Sequence, residues 1–108
     1  MLLSNLESVP GMRTVRHLGL VQGNTVRAKH VGRDILAGLK NIVGGEIASY
    51  TDLLEDARKE AIDRMVADAE ALGANAVANV RFSTSSITQG AAELFVYGTA
   101  LQVEPGGL

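Results

Sequence analysis

Between Asp34 and Tyr50 the chain gathers groups that can hold a ligand. Asp34, Lys40, Glu46 and Tyr50 supply two carboxylates, an ammonium and a phenol, with Gly38, Gly44 and Gly45 among them. A glycine inside a helix costs about 1 kcal/mol relative to alanine, so Gly38 points to a backbone or a ligand coming close. We expect a polar site lined by Asp34, Lys40, Glu46 and Tyr50 where this segment meets a neighbouring subunit, one that binds its ligand without transforming it. The same residues have plainer uses. Asp34 suits the first turn of a helix, where the dipole stabilises an acid by about 0.3–1 kcal/mol, and Gly44-Gly45 suits a helix stop. No phosphate-loop glycine pattern occurs.

A second chemistry involves His17 and His30. On adjacent strands of a hairpin they would lie near each other, and Asp34 or Glu46 could complete a nitrogen and oxygen metal site. No short-spaced ligand motif such as His-Glu-x-x-His supports it. A third reading makes Asp34 or Glu46 a general base beside Tyr50, which requires a water-poor cleft. Ser83, Ser85 and Ser86 stand in no nucleophile elbow and have no nearby histidine. We therefore expect no catalysis and no cofactor.

The elements that must position these groups follow from periodicity and turn chemistry. Residues 14 to 30 read as a hairpin turning at Gly23-Asn24, a pair that tolerates positive φ. Residues 33 to 43 read as a short helix with Ile35, Leu36, Leu39, Ile42 and Val43 on one stripe. A longer helix follows, with Leu54, Ala57, Ala61, Met65, Ala69 and Leu72 at three- and four-residue spacing, Thr51 or Asp52 as its cap and Gly73 as its stop. Residues 76 to 84 alternate as a strand, sending Ala78, Val80 and Phe82 one way and Asn79, Arg81 and Ser83 the other. Residues 85 to 91 read as a loop, and the tail from Pro105 as frayed. The strand from Glu93 to Val103 is apolar on both faces, which implies a central position or a subunit interface. On the second reading, aspartate at Leu94 or Val96 would break an assembly. The fold class is α+β: a small, mostly antiparallel sheet with one long and one short helix.

Composition sets the outer bounds. A chain of 108 residues fits a single domain over 1–108. It is 46% hydrophobic with only Phe82, Phe95, Tyr50 and Tyr97 aromatic, so aliphatic side chains must build the core. The net charge of −2 does not advertise nucleic acid, and the basic residues between 27 and 40 have no interleaved aromatics on which bases could stack. Charge is uneven: Arg13, Arg16, Arg27, Lys29, Arg33 and Lys40 precede a stretch led by Asp52, Glu55, Asp56, Glu60, Asp63, Asp68 and Glu70, so the two parts can pair within or between subunits. The start lacks the basic head and apolar run of a signal peptide, and no stretch approaches the ~20 apolar residues of a membrane span. We expect a cytoplasmic protein with no membrane partner. There is no cysteine, which excludes disulfides, iron–sulfur clusters and zinc-thiolate sites.

The ordered set Gly19…Gly23, Asp34…Gly38, Gly44-Gly45-Glu46, Tyr50, Ala57-Arg58, Leu72-Gly73-Ala74-Asn75-Ala76-Val77 and Tyr97-Gly98-Thr99-Ala100 resembles the YbjQ-like family over about residues 15 to 103. The resemblance implies a dodecin-like subunit assembled into a ring, a homopentamer, with itself as main partner. It implies no reaction, and it brings a heavy-metal-binding label. Some members carry a cysteine in the first strand, where this chain has Leu18. Soft-metal capture through a thiolate is therefore not expected here.

Overall fold

Gly23 and Asn24 do not turn the chain. In the computed structural model, which describes residues 1–28, 46–88 and 91–106, they lie within one unbroken strand. Of residues 46–53 only the course of the backbone is described. In chain order the elements are β1 (Leu2–Leu3), β2 (Met12–Ala28), α1 (Glu46–Ala71), β3 (Ala76–Thr88) and β4 (Ala91–Pro105). The four strands form one sheet in the order β1-β3-β4-β2, parallel between β1 and β3 and antiparallel elsewhere. The expected α+β class holds. The short helix expected over 33–43 lies outside the described residues.

The hairpin reading fails because Gly23 answers to a different demand. A Cβ there would collide with the Ala61 carbonyl oxygen and the Met65 amide of α1. Glycine is present so that the helix backbone can lie directly on β2. The helix side of the seam is made of alanines around one methionine: Ala61, Met65 and Ala69 are fully buried with Val21, Val77, Val96 and Ala100, and Ala57, also fully buried, continues the stripe. Thr25 is buried in the same interface, and its Oγ1 donates to the Ala57 carbonyl at 3.1 Å, so no polar group is stranded. Gly98 serves the neighbouring contact, since a Cβ there would come within 2.6 Å of Val77 Cγ1.

α1 is already helical at Glu46, ahead of the cap expected at Thr51 or Asp52, and its described part runs for 26 residues. Its end is as expected. Gly73 takes a left-handed φ of +83°, its amide donates to the Glu70 carbonyl, and the Ala74 amide reaches back to Ala69 at 3.1 Å. Asn75 then leads into β3. Its side chain donates to the Val103 carbonyl and accepts from the Val103 amide, both at 2.8 Å, as a strand partner would.

β4 lies between two strands, and its alternation is as read from the sequence. Leu94, Val96, Gly98 and Ala100 are buried on the helix side, whereas Phe95, Tyr97, Leu101 and Val103 occupy the other face. Leu94 and Val96 are 7% and 0% exposed, so aspartate at either would unfold the subunit and would not report on assembly. β3 departs from simple alternation. Asn79 has φ +54° in a bulge between Ala78 and Arg81, so Ala78 faces away from α1 while Phe82, four residues on, faces toward it. The segment expected as a loop over 85–91 is strand up to Thr88 and again from Ala91. Pro105 likewise is not frayed but pairs with Met12.

The first eleven residues, for which the sequence suggested no strand, cover part of the face opposite α1. Val9 packs with Ala76, Ala78, Leu101 and Val103 in a second small core. Ser4 and Leu6 carbonyls accept from Val80 and Asn79 amides at 3.0 and 2.8 Å, extending the partnership begun by β1.

Candidate ligand cleft and the open sheet face

The charged ridge of α1 closes the outer edge of β2. Asp68 Oδ2 accepts from the Gln22 amide at 3.3 Å, and Arg64 donates to the Asn24 carbonyl at 2.6 Å. Those backbone groups point away from β4, so two side chains supply what another strand would. Arg27 donates to Glu60 at 2.8 Å, and Arg64 reaches the second Glu60 oxygen at 2.5 Å. The expected pairing of the basic first part of the chain with the acidic helix is thus made within one subunit at Arg27–Glu60. The hydrogen bond from Arg27 above all, helped by the charges of Arg64 and Arg27, holds the Glu60 carboxyl below its ordinary value of 4.5, against the opposing cost of desolvation. A depressed carboxyl stabilises the fold above its unfolded pKa, and that contribution is lost as pH falls through the folded value. Glu60→Gln should therefore lower urea-unfolding stability at pH 7, by a small amount since the groups are half-exposed, and converge with the wild type as pH falls through the carboxylate range, flattening the acid limb of the profile.

Beside this edge lies a cleft of about 690 Å³, lined by Gln22 and Asn24 of β2, Arg64 and Asp68 of α1, and Glu93 and Phe95 of β4. Sequence reading did not find it, because three elements far apart in the chain build it. Its polar groups are committed to one another: Asn24 Nδ2 donates to Glu93 at 2.8 Å, and Arg64 and Asp68 hold the strand edge. That arrangement binds or excludes a guest; it offers no nucleophile poised beside a base.

Of the sequence-expected site residues, Asp34 and Lys40 lie outside the described residues. Glu46 and Tyr50 fall about one helical turn apart within α1 and not in an exit loop. His17 pairs with Leu101 on the face away from α1. With β2 unbroken there is no hairpin to bring His17 opposite His30, which itself lies outside the described residues. Arg81 shares that face. It donates to the Asn5 carbonyl at 2.6 Å and so pins the N-terminal segment.

Beyond the reach of Val9 this face is open among the described residues. Phe95 and Tyr97 stack there with ring centroids 5.4 Å apart, both half-buried. Leu20, 68% exposed, and Val26, 50% exposed, flank them on β2.

A family model described as "Putative heavy-metal-binding", the YbjQ model, matches residues 1–104. The chain belongs to this family. It is 68% identical over 104 residues to a UPF0145 protein of Hahella chejuensis, covering 96% of this chain and all of the relative. It is 60% identical over 102 residues to a UPF0145 protein of Archaeoglobus fulgidus, covering 94% of each. A crystal structure of a protein of unknown function from the DUF74 family of Pediococcus pentosaceus superposes with a TM-score of 0.63 at 13% identity, covering 96% of this chain and 98% of that one. That likeness concerns the fold alone.

The donor set does not fit the heavy metal of the family description. Thiophilic metals select sulfur, and the chain has no cysteine. Met65 is fully buried in the core, and among the described residues no three histidines, aspartates or glutamates converge.

Proposed function

We infer that the chain is a homo-oligomeric small-ligand-binding protein without catalytic activity, assembled as a ring of five as its family resemblance implies. The observation that carries this reading is the open sheet face. Leu20, Val26, Phe95 and Tyr97 form an apolar surface that a monomer would leave in water, and a neighbouring subunit is an economical cover. The ligand sits where the segment holding Asp34, Lys40, Glu46 and Tyr50 meets that neighbour. No helix among the described residues is long and apolar enough to cross a membrane.

Native mass spectrometry of untagged protein reads subunit number, metal and retained small molecule together. A ring of five, single or joined to a second ring, carrying a sub-kilodalton adduct is the expected result; a monomer at micromolar concentration, or mercury, cadmium or copper(I) retained stoichiometrically through desalting, would overturn the reading. Glu46→Gln and Tyr50→Phe should each leave subunit number unchanged, shift stability by less than about 0.5 kcal/mol and lower adduct occupancy. Loss of the assembly in both would make these residues structural.

A further inference from the structure

The two outer edges of the sheet are treated differently. β2 is closed by Arg64 and Asp68, as described. On the opposite side, β1 and the residues after it partner β3 only as far as Val80. From Phe82 to Thr88 no described backbone group bonds the outer edge of β3. Gln22 and Asn24 direct their backbone groups away from β4, and they lie opposite Tyr97 and Phe95. Tyr97 and Phe95 therefore direct theirs toward β3, where they face Arg81 and Ser83. The alternation leaves the N–H and C=O groups of Phe82, Thr84 and Ser86 pointing outward. All three residues are exposed, and the run Phe-Ser-Thr-Ser-Ser-Ile-Thr contains neither charge nor proline, the devices that usually blunt an edge.

We propose that this edge of β3 pairs antiparallel with the same edge of a second copy, about a two-fold axis normal to the sheet at Thr84. The neutral run is self-complementary: no like charges oppose each other, and Phe82 of each chain falls opposite Ser86 of the other. Head-to-tail continuation from β3 to β2 is obstructed at Gln22 and Asn24, where Asp68 and Arg64 already hold the backbone, whereas same-edge pairing meets no such obstacle and closes on itself. The partner is thus a second copy of this chain, and the contact is distinct from the one that covers Leu20 and Phe95. It goes beyond the five-membered ring of the preceding section, and joins two such rings into ten subunits.

The absence of cysteine makes the test direct. Thr84→Cys places two thiols at a hydrogen-bonded antiparallel pair, about 5.5 Å apart at Cα, within disulfide range. Mild oxidation should yield a covalent dimer, whereas Glu70→Cys on the exposed side of α1 should not. Thr84→Lys opposes two ammonium groups and should halve the mass of the assembly in native mass spectrometry without altering circular dichroism or Tm. Ten subunits falling to five supports both this pairing and the ring, and two falling to one supports the pairing and rejects the ring. A wild-type assembly of five, unchanged in Thr84→Lys and uncrosslinked in Thr84→Cys, would overturn the pairing and leave the ring standing.

Discussion

Gly23→Ala should be among the most damaging single-methyl additions the chain can suffer. The new Cβ falls on the Ala61 carbonyl oxygen and Met65 amide, both main-chain atoms in the middle of a long helix, so no side-chain rotation relieves it. The helix must lift from β2, opening a seam whose other members, Ala57, Ala61 and Ala69, are too small to close the gap by rearranging. We expect a loss of at least about 3 kcal/mol in urea unfolding, enough to remove soluble protein if the parent is of ordinary stability. Gly23→Val should be worse. Asn24→Ala should cost less than about 1 kcal/mol, because it removes an exposed side-chain bond to Glu93. The contrast also tests the strand assignment: in a two-residue turn Gly23→Asn would be tolerated, and here it should fail like alanine.

Met65→Ala should cost about 2–5 kcal/mol. Among the described residues Met65 is the largest fully buried side chain, and it stands among Val21, Val77 and Val96 at the centre of an interface to which α1 otherwise brings alanines. Removing it leaves a hole that branched neighbours held on rigid strands cannot fill. Met65→Leu, which nearly conserves volume, should cost less than about 1.5 kcal/mol. Both are read from urea midpoints, with the slope unchanged if only the native state is affected.

Much of the architecture is legible in the residues. The stripe Ala57-Ala61-Met65-Ala69 and the stop at Gly73 announce the helix, and the two-faced apolarity of β4 announces a strand covered on both sides. What misleads is glycine, which serves turns, bulges and close packing alike. Gly23-Asn24 has the composition of a hairpin turn, but the demand that fixes Gly23 comes from α1, far along the chain. Asn79 is similar: alternation around it looks regular, and the single residue in a left-handed conformation that reverses the pattern leaves no mark in periodicity. The cleft was invisible for a related reason. Gln22, Arg64 and Glu93 become neighbours only after β2, α1 and β4 have docked. The metal reading of His17 and His30 rested on the hairpin and loses its geometry with it.

The register of β2 on β4, from Met12 opposite Pro105 to Ala28 opposite Ala91, also sets the order of events during synthesis. β2 is made before α1, β3 and β4, so the sheet cannot close until all three later elements have followed it. Closure over so long a loop makes for slow folding. α1, β3 and β4 can associate first, because they are consecutive. β2 waits in water meanwhile, carrying Val15, Leu18, Leu20, Val21 and Val26, a run that would otherwise invite aggregation. Arg13, Arg16 and Arg27 punctuate that run with positive charge, and charges so placed keep a waiting strand soluble until its partner has been made.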